Sequence, residues 1–309
     1  MEYSNQTSVN RFILLSLSNV RRFQLFFFGL LLLLYIITLT VNVMLIALVK
    51  IDIRLQTPMF FFLSNLSFID IFFSSTTVPK ILENTLSHDR SISFLGCAIQ
   101  MFFHLAFGST ECIILAVMAY DRYAAICRPL NYNTIMDQKF CNYLSAGSWI
   151  LSFLNSALHA FFTFQLPFCK SNFVNHFFCE MPPLFLLSCS DTWFNEILIF
   201  VSSGIIALCA FLLTLLSYVN IIATILKIHT NEGKYKAFST CTSHLTVVSL
   251  YYGTIIFMYM RPPSRYFLDR DRAVSFLYTV VTPMLNPIIY SIRNKDIKGS
   301  LKGKLKLKI

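Results

Sequence analysis

Long apolar stretches, each about the thickness of a bilayer and separated by short polar segments, dominate this chain. A membrane-crossing helix needs about 20 mostly apolar residues, and on that measure spans are expected at 24–49, 58–79, 97–120, 141–161, 195–226, 238–260 and 273–292. The composition agrees. Of 309 residues, 56% are hydrophobic and 13% charged, whereas a soluble domain carries about 25% charged residues to keep its surface wet. The expected fold is therefore all-α: a seven-transmembrane-helix bundle. The apolar run from Phe23 to Val49 is too long for the core of a cleaved signal peptide, so it is expected to remain as an anchor.

The net charge of +10 does not point to nucleic acid, because the basic residues are scattered through loops and gathered in residues 293–309. Lipid headgroups are the expected partner. Three domains follow: an outer tail over 1–23, the seven-helix body over 24–292 and a basic inner tail over 293–309. With the N-terminus outside, inner segments hold 15 Lys and Arg and outer segments 10, in the direction of the positive-inside rule. Asn5 opens a glycosylation sequon in the outer tail. Cys97, Cys169, Cys179 and Cys189 all fall at the outer end, where disulfides persist. Four cysteines allow three pairings, and spacing alone does not choose among them.

Asp70 and Glu111 sit deep in apolar sequence, where a bare charge costs at least ~2.5 kcal/mol, so each must face the interior. With Asn42 and Asn286 they make either an oxygen-lined site for sodium or protons, or a neutral hydrogen-bonded network. Asp121-Arg122-Tyr123 closes span three, where Arg122 either snorkels to headgroups or enters a breakable ion pair between helices. Pro287, between Asn286 and Tyr290, removes a helical hydrogen bond and permits a kink or hinge.

A resemblance rests on long stretches. These are LQTPMFFFLSNLSFID at 55–70, MAYDRYAAICRPLNY at 118–132, Ser217-Tyr218, KAFSTCTSHL at 236–245 and PMLNPIIYSIRN at 283–294. Together they resemble a vertebrate odorant receptor, within the rhodopsin-like G-protein-coupled receptors. The outer loop, through LPFC at 166–169, HFFC at 176–179 and SCSDT at 188–192, resembles the tetrapod-type branch. That resemblance implies pairing of Cys97 with Cys179 and of Cys169 with Cys189, and an ion site lined by Asp70 and Glu111. It further implies that Asp121, Arg122, Tyr123 and Tyr218 serve coupling to a stimulatory olfactory-type G protein, with cyclic AMP as the output. Plasma membrane, in sensory cilia, is the implied location. Departures from the family pattern are Val41, Gln56 and Phe60; none touches a switch motif.

An odorant pocket between the outer halves of the helices would draw on His104, Leu105, Gly108 and Ser109 from span three and on Ser202, Ser203 and Ile206 from span five. Span six offers Tyr252, Ile255, Ile256 and Tyr259, and span seven Phe276 and Thr279. Each of these is open to the plainer reading of helix packing, His104 included. A transporter built on inverted halves would show an internal repeat, and none stands out. Nor is an enzyme expected: His244 follows Ser243 without a Ser-His-Asp arrangement or metal-ligand cluster. No cofactor beyond sodium is implied. In the basic tail, Ile297, Leu301 and Leu305 recur every four residues, which permits a short amphipathic helix on anionic lipid.

Overall fold

The computed structural model describes residues 10–17, 20–259, 268–293 and 297–300. Its long helices are α1 (Arg21–Ile51), α2 (Pro58–Leu86), α3 (Phe94–Cys127), α4 (Gln138–Phe164), α5 (Trp193–Lys227), α6 (Asn231–Tyr259) and α7 (residues 268–293). Five of these stretches are long and apolar enough to cross a membrane: α1, α2, α3, α5 and Arg272–Ser291 of α7. Helices α4 and α6 match them in length but fall short of them in hydropathy. Large apolar side chains point outward along α1 (Phe26, Leu33, Ile36) and α5 (Ile205, Leu208, Leu216). Such a surface is a liability in water and an asset in lipid, so the chain is a membrane-embedded protein.

The helices overrun the expected spans. Helix α2 continues through Pro79 to Leu86. A proline there frees carbonyls on the preceding turn, and Gln100 Nε2 of α3 donates to Thr76 O at 2.9 Å beside the break. Helix α3 starts on a cap in which Ser93 Oγ accepts from Gly96 N at 3.0 Å, and α4 on Asp137, whose Oδ1 accepts from Phe140 N at 2.8 Å. Both α5 and α7 contain one π-helical turn, Ile199–Ser203 and Leu277–Val281. Helix α3 is the axis of the bundle. It packs against α2, α4, α5 and α6 and is the most buried of the five spanning stretches.

The all-α expectation needs one correction. A three-stranded sheet covers one end, with β1 (Arg11–Leu14) between β2 (Ser91–Ser93) and β3 (Phe173–Val174). Strand β1 pairs antiparallel with β2, Phe12 opposite Ile92, and parallel with β3, Ile13 opposite Phe173. The cause is local: along Arg11–Leu14 every second residue is apolar and buried. Phe12 meets Phe168 edge to face at 5.3 Å and stacks on Phe94 at 6.0 Å. Part of the N-terminal tail is thus a structural strand. Asn5 lies outside the described residues, as do Leu301, Leu305 and the last four lysines of the tail. Residues 297–300 are helical, with Ile297 buried against the main core.

Candidate functional site

The site is built on one face of α3. His104, Gly108, Glu111 and Leu115 are spaced four, three and four apart, which places them in line on a helix. Each holds another helix through a polar contact.

At the sheet-covered end, His104 is 3% exposed. Its ring stacks on Phe73 of α2 at 4.7 Å and lies 4.7 Å from Phe178 of the loop between α4 and α5. Its Nε2 is 3.5 Å from the Tyr278 hydroxyl in the π-turn of α7, while Nδ1 is buried with no partner among the described residues. One turn on, the Gly108 carbonyl accepts from Tyr251 Oη of α6 at 2.7 Å. A Cβ on Gly108 would stand 2.9 Å from the Tyr278 hydroxyl, so a side chain there would force the Tyr278 ring to shift.

The loop above is anchored on several sides. Cys97 is bonded to Cys179, with Cα atoms 5.5 Å apart, and Cys169 to Cys189 at 5.8 Å. Cys179 N donates to Gln100 Oε1 at 3.0 Å, and Arg272 of α7 donates to Asn175 O at 3.2 Å. Inside this lid, burial pushes the His176 imidazole down to about 4; the Arg272 charge acts the same way, against the Phe178 carbonyl.

The remaining pocket candidates separate into groups. Ser202 and Ser203 face α4, where His159 Nε2 lies 2.9 Å from Ser202 Oγ and 3.2 Å from Ser203 Oγ. Asn155 Nδ2 donates to the same Ser203 oxygen at 3.2 Å. This cluster sits on the π-turn of α5. Leu105 packs with the core cluster under the sheet, Ile255 against the main core, and Phe276 with Phe178 in a third cluster. Tyr252 meets Phe211 edge to face at 5.4 Å. Ser109 and Ile206 are half-buried, and Thr279 is fully buried with a hydroxyl lacking a partner among the described residues. Ile256 and Tyr259 lie on α6, but their side chains are outside the described residues.

At mid-bundle, Asn286 Nδ2 donates to Asp70 Oδ1 at 3.1 Å, Asp70 Oδ2 at 3.3 Å and Glu111 Oε1 at 3.1 Å. One amide thus joins α7 to α2 and α3. Its two hydrogens serve two buried carboxylates, so the node is short of positive charge and requires a proton or a cation. The oxygen donors suit sodium. Asn42 of α1 donates from Nδ2 to Thr38 O and Pro283 O, both at 3.0 Å, tying α1 to the turn before Pro287. Tyr290 is buried, its hydroxyl without a partner among the described residues.

At the opposite end from the sheet, Asp121 Oδ2 holds Arg122 at 3.1 Å, and Tyr132 Oη donates to Asp121 Oδ1 at 2.7 Å. Of the two readings open for Arg122, the ion pair between helices is not the one formed among the described residues, where it pairs with its own neighbour. The nearest anion is adjacent in sequence and fixed by the following loop. Tyr123 packs with Tyr218 in the cluster at this end. The tie between helices runs elsewhere, from Tyr218 Oη of α5 to His244 Nδ1 of α6 at 2.6 Å, and from His244 Nε2 to Leu115 O of α3 at 3.1 Å.

Sequence reasoning missed Tyr278, Tyr251, His159 and the structural role of His244. Aromatic residues and a histidine at helical spacing carry no mark of which neighbour they will face.

A family model described as olfactory receptor matches residues 31–308. Olfactory receptor 5AP2 of mouse is 50% identical over 302 residues, covering 98% of this chain and 95% of the relative. Olfactory receptor 5G29 of mouse is 47% identical over 308 residues, 100% and 98% of the two chains. Olfactory receptor 5G3 of human is 48% identical over 308 residues, again 100% and 98%. With the family stretches in place from span two to span seven and relatives matching end to end, this chain belongs to the olfactory receptor family of G-protein-coupled receptors, a non-enzymatic class.

Proposed function

We propose that this receptor binds a small volatile odorant between the outer halves of seven membrane-crossing helices and activates a stimulatory olfactory-type G protein, raising cyclic AMP. The N-terminus lies outside. Residues 1–23 form the outer segment, with a glycan on Asn5, residues 24–292 the receptor body, and 293–309 a basic tail on anionic lipid of the inner leaflet. Its site of action is the plasma membrane of sensory cilia.

The observation that carries this reading is the polar ladder on α3. At residues 104, 108, 111 and 115 this helix holds α7, α6, α7 and α6 in turn. An odorant entering beside His104 and Tyr278 competes with the first rung. Because packed helices exchange between discrete arrangements rather than deforming smoothly, displacement there biases the rungs below. A sodium ion between Asp70 and Glu111 would supply the positive charge that the middle rung lacks. At the inner end, parting of Tyr218 from His244 would free α6 to swing and uncover Arg122 for the G protein.

The test is cyclic AMP in cells with and without the stimulatory olfactory-type G protein, screened over a volatile panel. Responses that need that G protein and vanish in a surface-expressed Arg122→Ala variant support the reading. Full signalling by that variant, or transport current without the G protein, rejects it.

A further inference from the structure

At the Arg122 end of the bundle, away from the odorant site, a groove of about 540 Å³ opens between α1, α2 and the start of α4. It is two-faced. Phe61 and Phe68 supply an apolar wall, and Lys50 and Gln138 sit at its mouth with Ser64 and Asn65 along the floor. The floor is built rather than incidental. Asn65 Oδ1 accepts from Ser145 Oγ at 2.9 Å and from Trp149 Nε1 at 3.2 Å, locking α2 to α4. Ser64 Oγ is buried without a partner among the described residues.

The charge at the mouth is positive. Lys50, in the last turn of α1, is exposed and enters no ion pair among the described residues. The two neighbouring carboxylates are engaged: Asp52 is bracketed by Arg54 at 3.1 and 2.8 Å, and Asp137 caps α4. From Thr57, the cap of α2, to Phe68 the groove follows the helix over eleven steps, about 16 Å at ~1.5 Å per residue. That is roughly half of a ~30 Å hydrocarbon core, the depth of one leaflet.

We infer that this groove is a binding site for one phospholipid with an anionic headgroup, its phosphate at Lys50 and Gln138 and an acyl chain against Phe61 and Phe68. Half-bilayer depth, a cation at the headgroup level and an aromatic wall below it match that amphiphile. The inference rests on the membrane reading above, with the Arg122 end inside. It places a structural lipid where it braces α1, α2 and α4, apart from the tail's attraction to the same leaflet.

The experiment uses purified full-length receptor in nanodiscs containing phosphatidylserine with a photoactivatable group midway along the acyl chain. Labelling is mapped by mass spectrometry of peptides covering 57–68. Wild type is expected to label there at least fivefold more strongly than with the matching phosphatidylcholine reagent. Lys50→Gln is expected to remove that preference, whereas Lys298→Gln in the tail leaves it intact. Retention of circular dichroism and thermal stability by Lys50→Gln shows that the fold survives. Equal labelling by both lipids, an unchanged preference in Lys50→Gln, or displacement by cholesterol but not by unlabelled phosphatidylserine would each overturn the proposal. Because no odorant or G protein is involved, these results are separate from a failure of the signalling test.

Discussion

The hydroxyl of Tyr218 lies 2.6 Å from Nδ1 of His244, and the other ring nitrogen of that histidine lies 3.1 Å from the carbonyl of Leu115. A carbonyl can only accept, so Nε2 carries the proton and donates. In the uncharged ring Nδ1 is then the acceptor, and Tyr218 donates to it. One imidazole therefore clamps α5, α6 and α3 together at the Arg122 end of the bundle.

Replacing His244 with Phe removes both bonds. At about 1 kcal/mol each, the closed arrangement loses roughly 5–30-fold in population relative to an open one. Odorant-independent cyclic AMP per surface receptor is expected to rise accordingly. If the clamp is real, Tyr218→Phe added to His244→Phe should raise it no further, as expected for two residues of one network. Unchanged basal signal in a well-expressed His244→Phe receptor would remove the clamp from the mechanism.

The mid-bundle node predicts a dependence on sodium. Exchanging sodium for choline should shift odorant potency in the wild type by roughly fivefold or more, the lower range of coupling between linked sites. Asp70→Asn keeps the shape but takes away one carboxylate, and should abolish that shift while the receptor still reaches the surface. A shift that persists in Asp70→Asn would place sodium elsewhere.

Pairing of Cys97 with Cys179 joins residues 82 positions apart in sequence. Loss of a bridge closing so long a loop typically costs ~2–5 kcal/mol. Cys97→Ala and Cys179→Ala are expected to lower thermal stability equally, and the double variant no more than either alone. Additive losses would falsify the pairing, as would a peptide map of unreduced receptor joining Cys179 to Cys169.

The lid should weaken in acid. His176 moves from an ordinary 6.5 in the unfolded chain to about 4 in the folded lid, chiefly through burial. Its folded-state value is lowered, so the stability it contributes is complete above pH 6.5 and is lost as pH falls through 4. At pH 5 the loss approaches about 2 kcal/mol, softened by Glu180, 3.4 Å from the ring. Hydrogen exchange over residues 173–180 should therefore accelerate from pH 7 to pH 5 beyond its intrinsic change, and His176→Gln should flatten the profile. A profile identical in the two proteins would take His176 out of the acid response.

Much of the site was legible along the chain because it is written in residue types that lipid penalises. Asp70, Glu111 and Asn286 stand out against apolar sequence, and they converge on one node. The pocket candidates fared differently. Ser202 and Ser203 were assigned with His104, yet both hydroxyls lie within hydrogen-bond distance of His159 on α4. A hydroxyl on an apolar helix announces that it must find a partner, but not which partner. Residues 11–14 show the limit at the other end of the chain: a four-residue alternation is short, and nothing in it says that strands from two distant loops will flank it.

The sequence by itself determined that the chain lives in a membrane, roughly where its helices run, and the family to which it belongs. Those properties depend on the length of apolar runs and on long contiguous motifs, both local along the chain. Only the tertiary structure decided that one amide bridges two carboxylates, and that His244 rather than Arg122 ties the helices together at the end opposite the sheet. These contacts depend on how each helix is rotated and how it crosses its neighbours. A rotation of one residue, about 100° on a 3.6-residue turn, replaces every partner while leaving the hydropathy of the span unchanged.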